Sequence, residues 1–219
     1  MVKNSRPAPR RTEALTRDGI VDAAIELLDE NGEAGLTFSA LSARLATGPG
    51  AIYRHIAHKG DLLTAACDTL VARSLDAAPD GATPAATIRA VGGALYDTID
   101  AHHWVGSALT RAAGQLPMVR ILERIGQQVQ ALGVPKRRQW TVVSALLNYV
   151  LGVAGQNAAN AEQAGGIDRN EFLDAVAATW RQLDPEAYPF TAGIAGQLTG
   201  HDDRADFLAG IDLILAGLG

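Results

Sequence analysis

Apolar residues recur at three-to-four spacing along most of this chain, in long Ala/Leu-rich stretches broken by Gly, Pro and Asp-Pro. Alternating β-branched runs are few. A period near 3.6 puts such side chains on one face of a helix, so the pattern predicts an all-α protein. With 219 residues, 47% of them apolar and 20% charged, the chain can bury one large core or a small domain leading into a larger one. No fixed period points to a solenoid.

Local signals place the elements. A first helix is predicted over 12–29, with Ile20, Ala24, Leu27 and Leu28 on one stripe and Asn31-Gly32 as its stop. A short second helix follows Thr37 as a cap, with Phe38, Leu41 and Leu45 on its inner face. Ala46-Thr47-Gly48 forms the turn. Pro49 suits the first position of a third helix, where its missing N–H costs nothing, and Ile52 and Ile56 point inward from it at i,i+4 spacing. Gly60 or Asp61 opens the next helix, through Leu62, Leu63 and Leu70. Residues 77–84 read as a linker. Further helices are expected near 84–102, 105–115, 117–132, 136–163, 168–183 and 203–217, with irregular connections around Gly165-Gly166 and over 184–200.

Charge is unevenly distributed. The net charge of -5 argues mildly against a nucleic-acid partner, but residues 1–60 hold eight Lys/Arg and seven Asp/Glu, whereas the remainder holds eleven against seventeen. The seven N-terminal acids all lie between Glu13 and Glu33. Residues 34–60 contain no acid but carry Arg44, Arg54, Lys59 and two histidines, which makes this window the expected place for DNA. The basic, proline-broken arm 1–11 is expected to be flexible and to follow a neighbouring minor groove or phosphates, or else to be a solvated tail.

Other classes find less support. The longest nearly apolar stretch, 142–155, carries Asn148 and falls short of the roughly 20 residues that cross a bilayer, so no membrane span is expected. The basic start lacks the apolar segment of a secretory signal, which predicts a cytoplasmic protein. Cys67 is the single cysteine. It reads as a small hydrophobe more readily than as a redox sensor, and no Cys/His spacing suits a metal or other cofactor. His102-His103 and His201-Asp202-Asp203 are the obvious places to look for catalysis, yet neither belongs to a wider motif, and no phosphate loop or nucleophile elbow is present. No catalytic residue is assigned.

Residues 37–56 meet the requirements of a helix-turn-helix: two short helices, a tight turn, and inward apolar residues that fix their angle. The run from Leu41 through Tyr53-Arg54-His55-Ile56, then His58-Lys59-Gly60-Asp61-Leu62-Leu63, closely resembles the DNA-binding domain of the TetR family of bacterial repressors, with Leu36-Thr37-Phe38 matching the family's lead-in. The resemblance implies a three-helix DNA-binding domain over 12–60, joined to a larger helical ligand-binding and dimerisation domain over 61–219. It further implies that Thr37, Tyr53, His55 and Lys59 contact the DNA backbone. By residue type, Lys59 and Arg54 neutralise phosphates, while Tyr53, His55 and Thr37 hydrogen-bond to them.

The chain departs from the family where Ala46-Thr47-Gly48 replaces the usual Gly-Val-Ser, which removes a side-chain cap. Pro49-Gly50-Ala51 also offers few donors to base edges. Specificity is therefore expected from Thr47, Arg44, a methyl contact by Ala51 and operator shape, with Gly48, Pro49 and Gly50 supplying backbone at the helix start.

The same resemblance implies a homodimer, since two recognition helices address two half-sites of palindromic double-stranded operator DNA. Residues 136–163 and 207–215 are the candidate interface, or else intramolecular core. For a small-molecule effector, the candidates are aromatic and polar groups interleaved on apolar helices: Tyr96, His103, Trp104, Arg111, Trp140, Ser144, Asn148 and Phe172. Each also has an ordinary structural reading as core filler, helix end or packing polar group. In the family, effector binding moves the helix after Asp61 like a lever and changes the separation of the recognition helices. The function expected is a repressor released from its operator by a small molecule; an activator of the same fold, an architectural DNA binder and a helical enzyme are the alternatives.

Overall fold

The computed structural model describes residues 15–163 and 168–218, side chains of 161–163 excepted. The described residues contain helices and no strand. The arm 1–11, the expected start at Thr12 and the Gly165-Gly166 connection lie outside the described residues. The chain divides into two compact units, with the boundary between Leu63 and Thr64.

The first unit holds α1 (Arg17–Gly35), α2 (Phe38–Arg44), α3 (Pro49–Tyr53) and the first turn of α4 (Lys59–Ala77). Thr16 starts α1: its hydroxyl accepts the Gly19 N–H at 3.1 Å, which satisfies one of the orphan donors of a helix start. The helix therefore begins several residues later than expected. Gly32 breaks it as Asn31-Gly32 predicted, at φ 61°, but a further turn resumes and carries it to Gly35. Ile20, Ala24 and Leu28 bury the stripe read from the sequence, closing with Leu36, Leu41, Ile52, Ile56 and Leu62 into one small core. Each large apolar side chain so buried contributes about 1.5–3 kcal/mol relative to exposure.

In the second unit, α5 (Pro84–Ala101), α6 (Trp104–Arg111), α7 (Leu116–Ala131) and α11 (Asp203–Ala216) surround α8 (Lys136–Gln163). Ile88, Val91, Leu95, Ile99, Leu109, Ile121, Ile125, Leu146, Val150, Phe207 and Ile211 form the core. Close approach depends on small residues: at Gly106 a Cβ would stand 3.3 Å from the Gly155 Cα, and at Gly210 it would overlap the Tyr149 hydroxyl. By length and composition, α8 is apolar enough to cross a membrane, contrary to the expectation for this stretch. Its packing against α5, α6, α7 and α11 gives its apolar face a protein partner instead.

Two connections differ from expectation. Residues 78–83 are not a free linker: Ala78 is buried, the Gly81 N–H donates to Thr87 Oγ1 at 2.9 Å, and Thr83 caps α5 through the Ala86 N–H. Within 184–200, expected to be irregular, the chain forms α10 (Pro189–Ile194) and a 3-10 turn (Ala195–Gln197), which associate with α9 (Arg169–Arg181). Pro189 starts α10 at its first turn, and six residues are too few to display a helical period.

Candidate nucleic-acid interface

The helix-turn-helix is assembled by caps and one strained turn. Thr37 Oγ1 accepts the Ala40 N–H at 3.1 Å, fixing the start of α2. That bond uses an acceptor lone pair, so the hydroxyl proton is still available to a phosphate. The turn closes through Thr47 N–H to Ser42 O at 3.0 Å, with Ala46 at φ 49°, a left-handed conformation that suits glycine far better than alanine. Gly48 precedes α3 without any side-chain cap, as its residue type required, and Pro49 occupies the first turn.

Tyr53 closes α3. Its ring stacks on Phe38 with centroids 4.4 Å apart and planes 14° from parallel, yet the residue is 54% exposed. The ring therefore has a fixed orientation while much of it faces solvent. Arg54 and His55 follow, both exposed, with the His55 N–H bonded to Ile52 O at 2.9 Å. Gly48, Pro49 and Gly50 are exposed, and Thr47 and Ala51 half-buried. Thus Thr37, Tyr53, Arg54, His55 and Lys59 all belong to the surface of this unit.

Two cations have intramolecular tasks that their sequence positions did not reveal. Arg44 bonds Glu26 at 2.9 Å and also pairs with Glu30, tying the end of α2 to α1. The Arg44 hydrogen bond holds the Glu30 carboxyl below its ordinary value, and the same acids raise Arg44. Lys59 Nζ donates to the Glu33 carbonyl, anchoring the start of α4 to the last turn of α1. An ammonium has two further donors, so this contact and a phosphate contact are compatible. His58 caps α4: its Nδ1 accepts the Asp61 N–H at 3.1 Å, and its Nε2 lies 3.4 Å from Asp61 Oδ1. The His58-x-x-Asp61 spacing was the available signal for this cap. Glu26 and Glu30 share a face at i,i+4, but nothing in the sequence assigned them to Arg44.

The eight effector candidates fall into separate environments. Tyr96 is buried, its ring 4.8 Å from that of Phe207, and its hydroxyl accepts from Asn157 Nδ2 at 3.2 Å. Burial raises the Tyr96 pKa, keeping the phenol neutral. Trp104 is buried at the start of α6, with His103 half-buried before it and Arg111 exposed at the other end. On α8, Trp140, Ser144 and Asn148 stand one turn apart: Trp140 is 71% exposed, Asn148 is exposed and Ser144 half-buried, while Leu146, Leu147 and Val150 turn to the core. Phe172 lies on α9 beneath the Arg169 guanidinium, 5.9 Å from the ring centre. The structure thus joins Tyr96 to Asn157 and Phe207, which were not among the candidates, and places Trp140 and Asn148 away from the buried face of α8.

A capped helix-turn-helix with exposed Thr37, Tyr53, Arg54, His55 and Lys59, followed by a helical unit built around one long helix, has the architecture of a helix-turn-helix transcriptional regulator. Residues 20–66 match the family model for bacterial regulatory proteins of the tetR family, and residues 78–219 match the tetracyclin repressor-like C-terminal domain. The chain belongs to the TetR family of bacterial DNA-binding transcriptional regulators. A TetR transcriptional regulator of Streptomyces coelicolor superimposes with a TM-score of 0.86 at 50% identity, covering 93% of this chain and 97% of that one. An HTH-type transcriptional regulator of Saccharopolyspora erythraea is 29% identical over 99% of this chain and 88% of its own length. ActR of Streptomyces coelicolor, solved with (S)-DNPA, shares the fold at a TM-score of 0.76 and 23% identity, over 94% and 97% of the two chains.

Proposed function

We propose that this protein is a repressor whose homodimer occupies a palindromic operator in the cytoplasm until a small molecule binds within the second unit. The observation that carries the DNA half is Tyr53: an aromatic side chain held rigidly against Phe38 yet left largely in solvent, between the turn and Lys59. A ring oriented in this way presents its hydroxyl to a phosphate with little entropy left to lose. Thr37, Arg54, His55 and Lys59 supply the other backbone contacts in this reading. Thr47, Ala51 and operator shape supply selectivity. Arg44 is reassigned mainly to holding α2 on α1, where it also neutralises two of the nearest acids.

For the effector, the reading rests on Tyr96, His103, Trp104 and Asn157, which offer polar groups to a largely apolar ligand. An HTH-type transcriptional repressor of Streptomyces coeruleorubidus, 27% identical over 97% of this chain, supports repression, and ActR solved with actinorhodin supports a small-molecule response. Trp140, Ser144 and Asn148 on α8, with the exposed Leu213 on α11, are read as part of the dimer face. A ligand that prefers the non-binding arrangement by about 1.4 kcal/mol lowers operator affinity about tenfold.

The test is selection from a genomic fragment pool at two salt concentrations. Enrichment of a palindromic site, lost at higher salt and weakened by Tyr53→Phe, which removes only the hydroxyl, supports the reading. Enrichment of no sequence by the wild type overturns it.

A further inference from the structure

The turn between α2 and α3, together with the front of α3, is held more weakly than the rest of the first unit, and four separate features contribute. Ser42 is buried, at 8% exposure, yet its hydroxyl meets no hydrogen-bond partner among the described residues, a costly state away from water. Ala46 holds φ 49°, a left-handed backbone that disfavours any residue with a Cβ. Gly48 gives α3 no side-chain cap. Gly50 stands inside a helix of only five residues, where glycine loses more backbone freedom on folding than any other residue type.

Little packing offsets these terms. Ala46, Gly48, Pro49 and Gly50 are exposed, and Thr47 and Ala51 only half-buried. The closing contacts are backbone bonds: Thr47 N–H to Ser42 O at 3.0 Å and Ala51 N–H to Gly48 O at 3.0 Å. The far end of α3 is different, because Ile52 is fully buried and Tyr53 stacks on Phe38. Residues 46–51 can therefore open while Ile52 and Tyr53 stay in place. On opening, the Ser42 hydroxyl gains water and Ala46 leaves the left-handed region, so the residues that weaken the formed turn also favour the open one.

We propose that Ser42 and Ala46 are positioning residues that keep residues 46–51 near balance between formed and open, so that operator DNA completes the folding of the segment that reads it. This rests on the operator-binding reading above and adds the regulation of that site. The phosphate-binding end, at Tyr53, is ready before DNA arrives. The base-facing end forms against a matched site, and a complex held by phosphate contacts alone leaves it open. Operator affinity is then reduced by the fraction of molecules in which 46–51 is formed, and a change that raises this fraction tightens operator binding without adding any contact.

The experiment compares wild type, Ser42→Ala and Ala46→Gly in the full chain. Ser42 is buried and Ala46→Gly only removes a methyl group, so neither change adds a contact to DNA. Hydrogen exchange of the 47–51 amides is followed without DNA and referred to the 20–28 amides of α1. Affinity is measured at one salt concentration for the fragment that the wild type selects and for an unrelated fragment of equal length. The expected result is slower exchange at 47–51 in both variants, about three- to tenfold tighter operator binding, and unchanged affinity for the unrelated fragment. Unchanged operator affinity in both variants overturns the proposal, as does an equal gain on both DNAs. Wild-type exchange at 47–51 as slow as that in α1 overturns it too. If the wild type selects no fragment, the operator reading has failed and the DNA half of the proposal falls with it, while slower exchange in the variants upholds the local opening.

Discussion

Three side chains show how far residue type alone leads. Ala46 sits at φ 49° where an L-residue with a Cβ is disfavoured by about 1–2 kcal/mol, and Ala46→Gly is expected to stabilise the protein by about 1 kcal/mol in urea unfolding. The departure from Gly-Val-Ser was visible in the sequence; the strain it causes was not, because φ depends on the closed turn. Cys67 is buried, and desolvation pushes its thiol up to about 12, so at pH 7.5 the native protein should not react with a thiol reagent until it is unfolded. Rapid labelling of the folded protein would restore the redox-sensor reading. Glu30 behaves oppositely: Arg44 lowers its pKa, so its share of the α1–α2 tie is present above the ordinary carboxylate range and disappears as pH falls through the lowered value. Carboxyl-detected NMR titration should place Glu30 below the ordinary glutamate value, and Arg44→Ala should return it there.

Helix existence was legible at the level of elements because the apolar period is long and uninterrupted over α5, α7, α8 and α11. Starts and stops were less legible. Thr37, Pro49 and Asn31-Gly32 gave correct signals, whereas α1 begins at its Thr16 cap and α10 is too short to register a period. Close approach between elements was not legible at all. Gly210 reads in sequence as a weak spot in a helix, but a Cβ there would stand 1.9 Å from the Tyr149 hydroxyl. That ring cannot retreat easily, since its hydroxyl donates to Phe207 O at 3.0 Å and its face stacks on Phe207. Gly210→Ala is therefore expected to destabilise by about 1–3 kcal/mol, read as a lower melting temperature. The same change at Gly152, where nothing lies within 4 Å, should be neutral or stabilising if that face is not an interface, which makes the pair a control for helix propensity.

For the whole molecule, the question is what meets the outward face of α8 and α11. Leu213 is 76% exposed and Trp140 71%, both large apolar groups on helices whose inner faces are fully used. In the homodimer reading, Leu213→Asp places a charge in a buried interface, and sedimentation velocity should show the monomer at micromolar concentration while the wild type remains dimeric. Operator binding by that variant should fall steeply, because a single helix-turn-helix engages only one half-site. A wild type that sediments as a monomer would remove the interface role from these residues.

The sequence by itself determined the helical class and the location of the helix-turn-helix, because periodicity, caps and motif spacing are local properties encoded within one or two turns. Only the tertiary structure decided that Arg44 is engaged by Glu26 and Glu30, that Lys59 anchors α4 to α1, that Tyr96 meets Asn157 and Phe207, and that Asp68 and Arg120 join α4 to α7. The hydrogen-bonded pairs among them stand 14 to 61 positions apart and Tyr96 and Phe207 farther still, and pairing at such distances depends on how whole helices pack. No local pattern of residue types carries that information.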